Sequence, residues 1–289
     1  MRRRIANWLN ERGRLADNTG HADRARRFYR FATRVDPSWS VPFYNFGLLE
    51  KYAGRWEDSL VLNQKAADLN NEDEAAWWNL GIAATALRNW SEARRAWRGF
   101  GIELPDGEGE VEIPVVAACV RLNPNGSGDV VWGDRIDPAR IVLQNVPLAE
   151  SGYRFRDIVL HDGARNGTRI MDGLEYPVFD SLGLWEPSTY STFGVTLHVP
   201  DQTDEDRLVA LCRERDIGVE DWATISVICA QCSRGNPDPQ DCKEAGSTER
   251  SYALAAKSED ELRMMLTAWV AENETREYDS IAQLVPATS

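Results

Sequence analysis

The spacing of apolar residues changes once along this chain, near residue 110. Before that point, apolar side chains recur three and four positions apart, which predicts amphipathic helices. From about residue 113 the apolar residues come in short runs and in alternation with polar ones, which predicts β-strands separated by turns. The chain therefore begins with a helical region and continues into one that mixes strands with a few helices.

The helical region contains an internal repeat of 34 residues. One position of this period is glycine in all three repeats. A second position holds a large apolar residue, a third holds a small residue, and a fourth, near the end of each repeat, holds an apolar residue. The recurring sets are Gly13, Gly47 and Gly81; Leu9, Phe43 and Trp77; Ala25, Ser59 and Ala93; and Ala32, Ala66 and Phe100. Each period predicts two helices, A and B, which the small residues allow to approach closely. Gly20 and Gly54 suit the turn between the helices, and Pro37 and Pro105 are expected to end helix B.

This pattern resembles the tetratricopeptide repeat (TPR) family, with three repeats over residues 6–39, 40–73 and 74–107. The resemblance implies a helical solenoid whose A helices line a groove that binds a peptide or helix. The residues it places on that face are Arg14, Tyr44, Asn45, Leu48, Lys51, Tyr52, Trp78, Asn79 and Ile82. It also implies that Asn45 and Asn79 bond a peptide backbone, although a packing role for these amides is an equal alternative.

Within that face, the basic residues are Arg14 and Lys51, which are few for clamping a terminal carboxylate. The aromatic side chains favour an apolar or aromatic peptide instead. The face of the last repeat near Trp90, Trp97 and Phe100 needs a cover, which we expect the C-terminal region to supply.

The second region predicts two modules. Residues 113–188 contain strands at 114–123, 129–136, 139–147 and 153–162, with turn signals at "DGARNGTR" and "MDGLEY", which favours a small β-barrel. Residues 189–289 predict the order β-α-β-β-α-β of a ferredoxin-like, split βαβ module. Thr203 is the expected N-cap of its first helix, and Ser258 with Glu261 forms a capping-box pattern at the second.

The overall prediction is a multidomain α+β protein. Its domains are a TPR solenoid at 1–107, a linker at 108–112, the barrel-like module at 113–188 and the ferredoxin-like module at 189–289. The two C-terminal modules together resemble an uncharacterised bacterial family that pairs a short barrel segment with an α/β tail, and that resemblance implies no activity.

The best candidate for chemistry is a cysteine cluster formed by Cys229, Cys232 and Cys242. Thiolates of a CxxC pair can share a zinc ion, which takes four ligands, so Cys212, His198 or a carboxylate such as Asp241 would have to supply the fourth. A cysteine pair that oxidises, or unlinked thiols, are the alternatives.

Composition narrows the functional classes. No apolar run approaches the ~18–20 residues of a membrane span, and the basic start "MRRRIANWLNERGR" lacks the apolar segment of a secretory signal. Five unevenly spaced cysteines favour a reducing cytoplasm over a disulfide framework. The net charge of −13 divides into +4 over residues 1–105 and −17 over the rest, which argues against a nucleic-acid binder.

Three functions follow from these observations. The first is a cytoplasmic adaptor, without enzymatic activity or an obligatory cofactor, that binds another protein or peptide in the TPR groove and neither nucleic acid nor membrane. The second is an acidic immunity-type inhibitor that neutralises a basic toxin. The third is an enzyme, or a zinc or redox module, in the C-terminal half. No recognisable acid/base or nucleophilic constellation supports catalysis, although His161-Asp162 could serve as a metal ligand or general base if it is not merely a turn.

Overall fold

The computed structural model of the chain describes residues 1–126, 128–222 and 249–288. The chain divides into two compact units. One contains Met1–Pro114 together with the short segment Asp137–Ala139, and the other contains Val115–Ile136 and Arg140–Ser289. We call them the helical unit and the strand-rich unit.

The helical unit contains six helices that pair as three antiparallel hairpins, which confirms the repeat. Their bounds are α1 Arg2–Asn18, α2 Ala22–Val35, α3 Ser40–Tyr52, α4 Trp56–Leu69, α5 Glu74–Ala86 and α6 Trp90–Phe100. Each turn between paired helices contains one residue in the left-handed conformation, with φ of 76° at Gly20, 66° at Gly54 and 55° at Arg88. Helix α6 ends at Gly101, which adopts φ of 101°, and so not at Pro105 as the pattern predicted. A left-handed glycine is sufficient to end a helix before any proline is reached.

A missing Cβ in each A helix lets the B helix of the same repeat approach. A Cβ added to Gly13, Gly47 or Gly81 would lie 2.5, 2.6 or 2.5 Å from side-chain atoms of the paired helix. Those side chains are Tyr29, Asn63 and Trp97, which are themselves 34 residues apart. The predicted role of the small residues at this position is therefore confirmed.

The strand-rich unit begins with a closed five-stranded barrel. Its strands are β1 Val116–Arg121, β2 Val130–Arg135, β3 Arg140–Leu143, β4 Ile158–Met171 and β5 Leu174–Glu186. Neighbouring strands run antiparallel, and a parallel pairing of β1 with β5 closes the barrel. Its core is aliphatic apart from Phe179, and consists of Ala118, Val120, Leu122, Val131, Ile141, Leu143, Val159 and Phe179.

The sequence prediction was wrong in one part of this barrel. The stretch "DGARNGTR" is not a turn but the middle of β4, where the pairing with β5 shifts register several times. Bulges of this kind accommodate glycine and asparagine inside a strand. The predicted turn at "MDGLEY" is confirmed, because Asp172 and Gly173 have φ of 53° and 77° and join β4 to β5. Strand β5 itself was missed.

The second half of the strand-rich unit is a four-stranded antiparallel sheet with two helices. Its elements are β6 Ser191–His198, α7 Gln202–Glu214, β7 Gly218–Asp221, β8 Glu249–Ala256, α8 Glu259–Ala271 and β9 Glu277–Val285. The strand order β7-β8-β6-β9 is that of a split βαβ module, as predicted. Leu208, Leu262 and Trp269 are among the helix residues that pack against Phe193 and Leu254 of the sheet.

The ends of these two helices differ in how well they were predicted. Ser258 caps α8, since its hydroxyl accepts a hydrogen bond from the Glu261 amide at 3.2 Å. Helix α7 is capped by Asp201 rather than by Thr203, because the helix starts two residues early and the Asp201 carboxylate accepts from the Asp204 amide at 3.0 Å. A carboxylate at this position also interacts favourably with the helix dipole.

Candidate functional site

The nine predicted groove residues all lie on A helices of the helical unit but differ in exposure. Arg14 and Tyr52 are exposed, and Tyr44, Asn45, Leu48 and Trp78 are half-buried. Lys51, Asn79 and Ile82 are buried. The accessible part of the face therefore lies on α1 and α3, whereas the predicted positions on α5 are largely withdrawn from solvent.

The asparagines of this face hydrogen-bond side chains of neighbouring repeats. Asn45 donates from Nδ2 to Oδ1 of Asn10 at 2.9 Å, which joins α3 to α1. Asn79 accepts at Oδ1 from Nζ of Lys51 at 3.0 Å, and this bond is buried. Two predicted ligand-binding amides thus have partners within the unit, and the Asn10–Asn45 pair is the more accessible of the two.

Trp78 contributes to the packing of its own repeat. Its ring lies edge-to-face on Trp97 and Phe100 of α6, with centroid distances of 5.1 and 4.6 Å. Tyr52 differs, because its side chain is 62% exposed and its ring faces the Lys51 ammonium at 4.4 Å. Of the aromatic residues predicted for the groove, Tyr52 is the most available to a ligand.

A buried ion pair next to this face was not predicted. Glu50 is 1% exposed and accepts from Nε of Arg26 at 2.8 Å, which connects α3 to α2. The equivalent residues 34 positions away are Ala16 and Ala84, so a charge replaces a small residue in the second repeat alone. That departure from the repeat pattern was the available signal.

Arg94 binds the segment that follows the last repeat. It is 8% exposed, and its guanidinium donates to the carbonyl oxygens of Pro105, Gly109 and Glu110 at 2.9, 2.7 and 2.8 Å. The glycine-rich stretch after α6 is thereby fixed onto that helix, and Val111 at its end is fully buried. Within the helical unit, this segment supplies part of the cover that the last repeat needs.

His161 of β4 is a buried polar residue of the barrel. His161 is fully buried, with Nδ1 3.0 Å from the carbonyl oxygen of Asp162 and its ring 4.7 Å from that of Phe179. Burial lowers the pKa of His161 to about 3, so the ring is neutral at physiological pH. Nε2 has no hydrogen-bond partner among the described residues. On the same barrel, Arg121 pairs with Asp180, which also accepts from Asn166 at 2.6 Å.

The three cysteines predicted to bind metal, Cys229, Cys232 and Cys242, lie outside the described residues. Of the suggested fourth ligands, Cys212 is buried in the core of the ferredoxin-like sheet, and burial raises the pKa of its thiol to about 12. His198 lies at the end of β6 and is half-buried. Across residues 1–126, 128–222 and 249–288, no group of three or more histidines, cysteines and carboxylates is arranged to hold a metal ion.

None of the helices among the described residues is long and apolar enough to cross a membrane.

Three solved structures that are similar to part of this chain are TPR domains. The second TPR of Spaghetti (RPAP3) bound to the HSP90 peptide SRMEEVD is 19% identical with a TM-score of 0.32, and the match covers 34% of this chain and 91% of that one. The Arabidopsis OM64 TPR domain is 17% identical with a TM-score of 0.32, over 34% and 81% of the two chains. The first TPR of Spaghetti (RPAP3), bound to the same peptide, is 22% identical with a TM-score of 0.32, over 34% and 78%.

No family model matches the chain, and no curated protein matches it. The helical repeat thus rests on the 34-residue period and on the packing of the six helices described above.

Proposed function

We propose that the helical unit is a protein-interaction module that binds a peptide or helix on the face formed by α1 and α3. The observation that carries this proposal is the Asn10–Asn45 amide pair beside the exposed side chains of Arg14 and Tyr52. The hydrogen bond between the two amides fixes their orientation. An amide group has two N–H donors and a carbonyl oxygen, so half-buried Asn45 retains capacity for the backbone of a ligand, whereas Asn10, which is 2% exposed, holds Asn45 in place.

The side chains around this pair favour a ligand with apolar or aromatic residues. Tyr44, Leu48 and Tyr52 supply apolar surface, and Arg14 supplies one exposed positive charge. Aromatic side chains such as these are enriched in the buried centre of protein interfaces. A cytoplasmic location is part of the proposal, because Cys119 and Cys212 are free thiols.

Affinity capture from a lysate of the source organism tests this function. The full-length protein is compared with its Tyr52→Ala and Asn45→Ala variants, and the matched control is Val61→Ala, which removes an exposed side chain from α4. We expect a protein that the wild type and the control recover and that both face variants lose. A synthetic peptide of the captured segment should then bind about tenfold more weakly to Tyr52→Ala, as is common for central aromatic contacts.

Equal recovery by all four proteins would show that the binding surface lies elsewhere on the chain. Loss with Asn45→Ala alone would indicate that breaking the amide pair disturbs the helices, which circular dichroism of that variant would reveal.

A further inference from the structure

The first hairpin exposes Trp8, Arg12 and Leu15 at positions that the other two hairpins bury. We call these residues, together with exposed Ile5 and half-buried Phe28, the leading face. Four of its positions have equivalents that follow directly from the 34-residue period. These are Pro42, Phe46, Leu49 and Leu62 in the second repeat and Ala76, Leu80, Ala83 and Ala96 in the third.

In the second and third repeats, the equivalent positions pack against the preceding hairpin. Phe46 and Leu49 of α3 form one cluster with residues of α1 and α2, and the Phe46 ring lies 6.2 Å from that of Tyr29. Ala76 and Leu80 of α5 pack in the same way with Ala66 and Ala67 of α4. In both cases the cover includes a B helix of 14 residues, α2 or α4.

The same positions in the first repeat carry large side chains that reach solvent. Trp8 is 54% exposed and Leu15 is 57% exposed, whereas Leu49 is 7% and Ala83 is 0% exposed. Trp8 and Phe28 lie edge-to-face at 6.5 Å and form one aromatic ridge. An exposed apolar ridge of this size indicates a binding surface.

Arginines surround this ridge. The guanidinium of Arg12 lies 5.3 Å from the Trp8 ring centroid, and that of Arg24 lies 5.7 Å from the Phe28 ring centroid. Hollows of about 530 and 810 Å³ flank the ridge, and Arg4, Arg24 and Arg27 are among the residues that line them. Residues 1–37 hold ten basic and four acidic residues, so the region is positive overall.

We propose that the leading face binds an acidic amphipathic helix of a partner protein, which covers it as α2 and α4 cover the equivalent faces. A helix is favoured because helices fill the same role twice in this unit. An acidic helix is favoured because exposed arginines border the apolar ridge. A second copy bound face to face is disfavoured, since it would bring the two sets of arginines together. This surface is separate from the one proposed above.

The chain supplies a matched pair of probes. The α4 segment, Trp56–Leu69, has three acidic residues and one lysine, for a net charge of −2. The α2 segment, Ala22–Val35, has five arginines and one aspartate, for a net charge of +4. Both segments cover an equivalent face in the unit, so they differ chiefly in charge. Each 14-residue peptide carries a side-chain crosslink, because isolated helices of this length are marginal in water.

The measurement is binding of each peptide to the full chain, followed through the ¹⁵N–H indole resonances and assigned with Trp8→Phe. We expect the α4 peptide to shift the Trp8 resonance and the α2 peptide to bind about tenfold or more weakly, because like charges repel. The double variant Arg12→Glu/Arg24→Glu should lose binding of the α4 peptide. Arg98→Glu, which reverses one charge at an exposed position on α6, should retain it.

Three results would overturn the proposal. These are no shift of the Trp8 resonance at millimolar α4 peptide, equal binding of the two peptides, and a dimer of the free chain that Trp8→Ala dissociates in sedimentation velocity. The last result would assign the face to a second copy. Tyr52→Ala should leave α4 peptide binding unchanged, which separates this test from that of the groove.

Discussion

The two units of this protein place different demands on their buried side chains. In the helical unit, the side chains that face the three A-helix glycines are Tyr29, Asn63 and Trp97, so either an aromatic ring or an amide occupies the equivalent space. In the strand-rich unit, buried contacts join specific charged partners that are far apart in sequence. Arg276 and Asp204 pair at 2.6 Å across 72 residues, and both are less than 10% exposed.

This difference shows what each architecture requires. A repeat array obtains its contacts from near neighbours in the chain, and a missing Cβ is enough to bring two helices together. A split sheet needs distant segments to meet, and a buried charge then tolerates only its own partner. Three experiments probe this comparison.

The largest effect is expected from Arg276→Met. Arg276 also donates to the carbonyl oxygen of Trp269 at 2.7 Å, and its removal leaves the Asp204 carboxylate buried without its cation. We expect a loss of about 3–5 kcal/mol in the free energy of unfolding, measured by urea titration. Arg207→Met is the control, because the Arg207–Glu272 pair is partly exposed and should contribute less than about 1 kcal/mol. Equal losses in the two variants would show that burial does not make the Arg276–Asp204 pair more important than an exposed pair of the same unit.

A smaller loss is expected from Gly81→Ala in the helical unit. The new Cβ would lie 2.5 Å from the fully buried Trp97 ring, and overpacking of this kind costs about 1–3 kcal/mol. The measurement is thermal unfolding followed by helical circular dichroism.

Trp97→Leu provides the complementary change, because it makes room for the added methyl group. If Gly81 is required only because it leaves room for the Trp97 ring, the double variant should be less destabilised than the sum of the two single variants. Strict additivity would show that the glycine acts through its backbone instead.

The third effect concerns His161 and is small at neutral pH, because it depends on pH. Its pKa is about 3 in the folded state and about 6.5 when exposed, so between these values the unfolded chain binds the proton and the folded chain does not. Stability should therefore fall as pH drops below about 6.5, by at most about 1.4 kcal/mol per pH unit, which gives about 2 kcal/mol by pH 5.

The variant His161→Gln should remove this part of the acid sensitivity. The measurement is the difference in unfolding free energy between wild type and variant at pH 7 and at pH 5, which subtracts the contribution of other groups. A difference that does not change with pH would show that His161 binds protons equally in the folded and unfolded states over this range, which would contradict its lowered pKa.

Much of the fold could be predicted from the sequence, because the signals were periodic. The repeat and the order of the split sheet follow from spacing that recurs along the chain. The bulged middle of β4 was missed because its glycines and asparagine have the composition of a turn. Strand β5 was missed because Pro177 and Gly183 interrupt its pattern. Whether a bulge continues a strand is decided by the partner strand, which local sequence does not show.

The candidate surfaces were predictable to different degrees. Comparing repeats could have found the leading face. Trp8 occupies a position that is proline or alanine in the other repeats, and Leu15 occupies one that is leucine or alanine. The burial of Lys51, Asn79 and Ile82 was not predictable, because exposure depends on the rest of the folded chain. The link from Asn45 to Asn10 required knowing which residues of adjacent A helices face each other.

Arg94 attaches to the helical unit a segment that lies beyond the last repeat. Counting by the repeat would place the end of the unit at residue 107, yet the guanidinium is satisfied by carbonyl groups as far as Glu110. A protein cut after residue 107 would keep the whole repeat pattern and lose two of the three acceptors of a buried cation, Gly109 and Glu110. For dividing this chain, hydrogen bonding to one side chain therefore matters beyond the residue at which the repeat ends.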